Sequence, residues 1–349
     1  MPATSPEYVK TSTAAAITLG FQPGSFHRDA RPTGLNLLLT YNEPCAGRCA
    51  YCGLSGNRLP DAEPTFIRVD WPVYALDAIL KEVRRDSRGL ERVCIGMPTH
   101  RRSWDDLLKV VNRWHRESDL LISALLTPTA CRGRDFFELR AAGADMVGIA
   151  IDCATPELFE RYRGRGVKGP HRWEEYWEGV SRAVTVFGRG RVGIHLIVGL
   201  GETEAEMIQT IQRAQDMGVR THLFSFFPET GTILARRRQP PLGQYRRVQL
   251  ARYIINEGLG RAEDMTFNDA GQVMDFGMDI TPLVKAGEAF RTSGCPGKDG
   301  RTVACNRPYG NERPSQAIRN FPFAPEPGDI RAVERQLRQG LKGAVAHAG

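Results

Sequence analysis

The chain has no apolar run approaching the roughly 18 residues that a membrane span requires, so no membrane is expected as a partner. Its first 22 residues lack a long apolar core behind a basic start, and no secretory signal is read there. Without one, the eight cysteines do not read as a disulfide frame. They argue for a reducing, cytoplasmic setting and for metal work. There is no internal repeat and no low-complexity tract. Neither sign of charge dominates: 47 Lys and Arg stand against 40 Asp and Glu, a net +7 over 349 residues. No nucleic-acid partner is expected from that balance. The densest basic patch, Arg236-Arg237-Arg238 with Arg246 and Arg247, reads either as a solvated face or as a docking surface for an acidic partner. Hydrophobic content of 41% and charged content of 25% are those of an ordinary globular chain.

Short apolar strands alternate with amphipathic helical stretches, which predicts βα units on a parallel sheet. Strands are expected at 35–41, 92–96, 120–126, 146–151, 192–198 and 222–226. Helices are expected at 72–85, 104–115, 134–142, 173–187, 204–217 and 243–257. Six such units make an α/β fold: a partial (β/α)6 TIM-type barrel, open on one side. The barrel is expected over 34–285, with an N-terminal extension (1–33) wrapping it. An irregular Gly-, Pro-, Arg- and Asn-rich cluster-binding tail follows (286–349). Within these spans a hairpin is expected near 265–276 and a charged helix at 329–341.

The strongest motif is Cys45-Ala-Gly-Arg-Cys49-Ala-Tyr51-Cys52. Three thiolates at Cys-x3-Cys-x2-Cys spacing suit a soft metal centre. Structural zinc normally takes four ligands in two close pairs, and here a single triplet stands alone. A [4Fe–4S] cube held by three cysteines keeps one iron open. The spacing resembles the radical-SAM superfamily. That resemblance implies S-adenosylmethionine chelated on the open iron and cleaved by one electron to a 5′-deoxyadenosyl radical. It also implies that Tyr51 lies against the adenine; the plainer reading is a packing aromatic.

Other segments extend the resemblance. His195-Leu-Ile197-Val-Gly199-Leu-Gly201-Glu202 is similar to the superfamily's adenine-binding strand, with His195 where a glycine is usual. The run Asp152…Thr155-Pro156-Glu157 resembles one in biotin synthase, where the Asp reaches the ribose. Asp152 is the candidate here, although Thr155 and Pro156 read equally as a helix cap and first turn. The usual Gly-Gly-Glu run after the second strand is absent, and Cys94-Ile-Gly96-Met-Pro stands in its place. Thr99 or backbone carbonyls are then candidates for holding the methionine amine.

Five cysteines remain. Cys295-Pro296 and Cys305, in a glycine-rich tail, are candidate ligands of a second iron–sulfur cluster. Cys94 is expected to face the barrel interior, where biotin synthase holds its sulfur-donor cluster. Cys131 is an alternative, and Cys153 reads as a buried structural thiol. Arg307 or Ser293 is a candidate non-cysteine ligand.

The tail, including 305–312, and the run Leu35–Cys45 resemble the two-component lipoyl synthases, the second component most of all. The resemblance implies sulfur insertion at C6 or C8 of an octanoyl chain on a carrier-protein lysine, with an auxiliary cluster sacrificed. It implies a carrier protein, a second radical-SAM subunit and a low-potential electron donor as partners. Two other functions stay open: a biotin-synthase-like mutase, lyase or methyl-handling enzyme, and a non-catalytic iron–sulfur subunit.

Overall fold

The structure, a computed structural model, describes residues 3–59, 66, 69–308 and 316–341. The chain opens with β1 (Tyr8–Thr11), α1 (Thr13–Thr18), β2 (Gly34–Leu39), β3 (Val73–Ala75) and α2 (Leu76–Arg85). There follow β4 (Arg92–Gly96), α3 (Ser103–Glu117), β5 (Leu121–Leu126), α4 (Phe136–Ala141), β6 (Met146–Asp152), α5 (Pro156–Tyr162) and α6 (Trp173–Phe187). The barrel ends with β7 (Val192–Val198), α7 (Glu204–Asp216), β8 (Arg220–Ser225) and α8 (Leu242–Asn256). A small hairpin, β9 (Thr266–Phe267) and β10 (Val273–Asp275), precedes α9 (Thr281–Ala286) and α10 (Pro327–Leu337).

One sheet carries eight strands in the order β3-β1-β2-β4-β5-β6-β7-β8. The run from β2 through β4 to β8 is parallel, and these six are the strands expected from the sequence, within two residues at either end. With their helices they form the (β/α)6 partial barrel. Strands β1 and β3 add an antiparallel edge that the alternation did not reveal. The expected helix at 72–85 is therefore corrected. Val73-Tyr74-Ala75 pairs with β1, and the helix starts only at Leu76. Val and Tyr favour a pleated surface, and here an edge strand was available to pair with. The N-terminal extension does more than wrap: its β1 lies between β2 and β3.

Over much of their length the strands alternate in what they face. Val93 and Ile95, Ile122 and Ala124, and Ile194, Leu196 and Val198 are buried in the hydrophobic core. Their neighbours Asn36, Cys94, Ala150, His195 and His222 line a cavity instead. Period-two geometry makes this a single choice of face for each strand. Register then stacks the polar choices: Asn36 pairs with Cys94 and Cys94 with Ser123, and His195 pairs with His222.

The tail crosses the N-terminal ends of the strands. Arg92, 1% exposed, binds Asp145 through both terminal nitrogens (2.7 and 2.9 Å) and donates from Nε to the Pro296 carbonyl at 2.7 Å. Ser293 Oγ accepts from the Leu223 amide at 2.9 Å, and Thr33 Oγ1 donates to the Ala304 carbonyl at 2.8 Å. The last helix spans Pro327–Leu337 rather than 329–341, with Pro327 in its first turn. It packs on α8 through Arg246 and Arg247, both buried. That removes these two from the basic patch proposed as a docking surface. Only Arg236 and Arg238 of that patch are exposed.

Candidate active site with two cysteine groups on one cavity

The loop after β2 brings Cys45, Cys49 and Cys52 to one wall of a cavity of about 280 Å³ inside the barrel. That wall lies beyond the C-terminal ends of the strands, where barrel sites are built. Cys45 Sγ accepts from the amides of Gly47 (3.3 Å) and Thr99 (3.2 Å). Such donors tune sulfur-ligated iron. The Thr99 carbonyl in turn accepts from the Ala46 amide at 2.9 Å, so Thr99 braces the loop through its backbone. Burial pushes the Cys49 and Cys52 thiols up, and the nearby Arg163 guanidinium opposes this at Cys49. Metal binding at these two must therefore displace protons.

Among the described residues no three His, Cys, Asp or Glu side chains converge closely enough to hold one metal ion. Ligands of a cube sit at separate corners and need not converge in that way.

Tyr51 and Asp152 meet beside this loop. The Tyr51 hydroxyl donates to Asp152 Oδ2 at 2.6 Å, and Arg163 Nη1 lies 3.2 Å from the same oxygen. Asp152 has φ 63° at a register shift between β6 and β7. A non-glycine in the left-handed region costs roughly 1–2 kcal/mol. Here it turns the carboxylate to the cavity while Cys153 stays fully buried. Thr155 also caps α5, its Oγ1 accepting from the Leu158 amide at 3.2 Å. The cap and the Asp152 placement coexist.

On β7, His195 and Ile197 line the cavity, but Gly199 and Glu202 do not. The Glu202 carboxylate accepts from the amides of Gly199 (2.6 Å) and Leu200 (2.9 Å), folding the Gly-Leu-Gly turn onto itself. Gly199 has φ 111°, and a Cβ there would lie 2.7 Å from Pro240 Cδ. That turn is a structural requirement of the strand's end.

The second group lies toward the strands' N-terminal ends. Cys94, Cys295 and Cys305 line the same cavity as the first three cysteines. Mutual thiol repulsion adds to burial in raising Cys94 and Cys295. Arg307 Nε donates to Cys305 Sγ at 3.2 Å, and its guanidinium lies 4.3 Å from the centre of the Phe224 ring. Ser293 spends its hydroxyl on the Leu223 amide and is absent from the wall. Cys131 is corrected as a candidate. It sits in a helical turn after β5, 1% exposed and away from the cavity, with its thiol pushed up to about 12 by burial. Residues 309–312 of the tail motif lie outside the described residues.

Four wall residues were missed. Arg163 lies behind Cys49 and carries no motif. His171 accepts or donates at Thr129 Oγ1 (2.8 Å) and Tyr176 Oη (3.1 Å), and burial pushes it down to about 2. Glu229 follows β8 in an irregular segment. His222 was the legible one, since it shares strand parity with Phe224 and registers against His195.

Residues 42–214 match the family model for the radical SAM superfamily. That stretch carries a radical SAM domain. No curated protein gives a significant match. Among solved structures, HydG, a maturase of the [FeFe]-hydrogenase, shares 13% identity over 61% of this chain and 47% of its own, at TM-score 0.45. SuiB of Streptococcus suis bound to S-adenosylmethionine shares 14% over 65% of this chain and 49% of its own, at 0.47. The methyltransferase TsrM of Kitasatospora setae shares 15% over 83% of this chain and 60% of its own, at 0.40. The chain thus spans about half the length of the first two.

Radical SAM enzymes use a [4Fe–4S] cluster and S-adenosylmethionine, and the first cysteine group fits them. Three sulfurs share one wall, two amides point at one of them, and a buried cation lies behind another. No helix among the described residues is long and apolar enough to cross a membrane.

Proposed function

We propose that this chain is a radical SAM enzyme that inserts sulfur into an octanoyl chain carried on a protein lysine, as one component of a lipoyl synthase. One observation carries the reading: Cys94, Cys295 and Cys305 share a cavity with Cys45, Cys49 and Cys52. A hydrogen-abstracting end and a sulfur-bearing end then face one substrate. Arg307, already on Cys305, is the non-cysteine partner best placed to complete the second group. An auxiliary iron–sulfur cluster bound there would supply sulfide to a substrate carbon that has lost a hydrogen atom, with one electron left on iron.

The chain's own residues do the rest. Leu38, Leu125, Phe224 and Phe226 give the wall an apolar surface suited to an alkyl chain. The same surface keeps water from a reactive carbon. Tyr51, Asp152 and Ile197 line the wall and are assigned to the nucleoside, and Thr99 to the methionine end, as part of this proposal. The carrier domain, a second radical SAM subunit and a low-potential donor belong to the same proposal, in the cytoplasm. The exposed Arg236 and Arg238 suit an acidic carrier.

The imidazoles of His195, half-buried, and His222, buried, favour a second reading, a more polar small molecule handled without sulfur transfer. Mass spectrometry separates the two. Reduced protein, its partner subunit, S-adenosylmethionine and an octanoylated lysine peptide should give a thiolated peptide. Deoxyadenosine release without added sulfur would overturn the lipoyl reading.

A further inference from the structure

A second cavity lies at the foot of the barrel, between β8, the C-terminal half of α8 and the tail. Its wall carries four arginines. Arg220 is paired with Glu257, and Arg291 with Glu288 at 2.9 Å. Arg301 is exposed. Arg252 differs from all three. It is 6% exposed, donates from Nη2 to the Ala289 carbonyl at 3.0 Å, and forms no ion pair among the described residues. Among the described residues its Nε has no protein partner. Thr221 Oγ1 and both ring nitrogens of His222 are likewise buried without a partner, and both residues belong to the same wall. Burial and the nearby Arg307 keep the His222 ring neutral, pushed down to about 3.

A buried guanidinium with no ion pair of its own, the nearby Glu257 being paired with Arg220, is costly, and so is each buried hydroxyl or imidazole left unpaired. One acceptor with negative charge would answer the guanidinium and the hydroxyl together. We propose that this cavity binds a small oxyanion or carboxylate, held by Arg252 and Thr221. Gly294 and His222 line both this cavity and the large one, so the ligand would lie next to the tail segment that carries Cys295. The proposal does not depend on the sulfur-insertion reading.

Calorimetric titration of the full chain with inorganic phosphate, and separately with acetate, tests it at constant ionic strength set with chloride. At least one of the two should bind saturably at one site. Phosphate alone identifies an oxyanion site, and acetate alone a carboxylate site. Thr221→Val replaces a buried hydroxyl by a methyl of the same shape and should fold as well as the parent. It should weaken binding by about tenfold. Arg252→Gln should abolish it. No saturable binding of either anion, or equal affinity in the parent and Thr221→Val, would overturn the proposal.

Discussion

The Tyr51 hydroxyl donates to Asp152 Oδ2 at 2.6 Å, joining two residues 101 positions apart that the sequence had marked separately as cofactor contacts. The bond links the cysteine loop to the strained end of β6. Removing it should disturb both. Tyr51→Phe is expected to lose about 1–3 kcal/mol of stability, the range for leaving a buried acceptor without its donor. It should also weaken S-adenosylmethionine binding, because Asp152 would keep only Arg163 to orient it. Urea unfolding and equilibrium dialysis check this; unchanged values in both would show the bond to be incidental.

Glu202 supplies a pH test. Burial raises its carboxyl above the usual range, and the amide bonds from Gly199 and Leu200 oppose that only in part. The native state therefore holds the proton more tightly than the unfolded chain. Its contribution to stability falls as pH rises from about 4.3, the ordinary Glu value, to the raised native value, and is level beyond. Glu202→Gln lacks this group. The stability of the parent relative to Glu202→Gln should decline with rising pH across that window. A difference that is flat, or that grows with pH, would contradict the assignment.

The arginines near α8 should divide by burial. Arg247 binds Glu204 at 2.6 Å, with both side chains nearly inaccessible, and Glu204 also accepts from the Val273 amide at 2.9 Å. Arg247→Met leaves a buried carboxylate uncompensated and should cost about 3–5 kcal/mol. Arg236→Ser and Arg238→Ser should change stability by no more than about 0.5 kcal/mol. Thermal unfolding of the three variants checks the contrast.

Iron content separates the two cysteine groups. Anaerobically reconstituted protein should hold about eight irons, two cubes' worth. Replacing Cys45, Cys49 and Cys52 together by Ser, or Cys94, Cys295 and Cys305 together, should each leave about four. Replacing Cys131 by Ser should leave the count unchanged. About four irons in the parent would favour a single cluster.

The six parallel strands were legible because short apolar runs sit between amphipathic helical stretches. The cysteine triplet was legible because its spacing is chemically specific. Strands β1 and β3 were not, since short edge strands depend on which partner the tertiary fold offers, and local sequence does not carry that. Glu202 looked like a cofactor residue because the motif places it correctly; its carboxylate is instead consumed by the turn that the two glycines create. Cys131 was drawn in by its position after a strand, yet the turn that follows buries it. Arg163 had no local signal at all, for its role comes from packing α5 against the cysteine loop. The pairing of Cys94 with Cys295 and Cys305 needed the tail to cross the foot of the barrel. Arg92 and Ser293 hold it there, over 200 residues and 70 residues in sequence from their partners.

Sulfur transfer from the second cysteine group is the central claim, and isotope labelling tests it most directly. Protein reconstituted with heavy sulfide is washed free of excess, reduced, and given its partner subunit, S-adenosylmethionine and an octanoylated lysine peptide for a single turnover. The account predicts a thiolated peptide carrying the heavy isotope, and none when Cys94, Cys295 and Cys305 are replaced by Ser. Deoxyadenosine formed in the parent with no labelled sulfur in the peptide would contradict it.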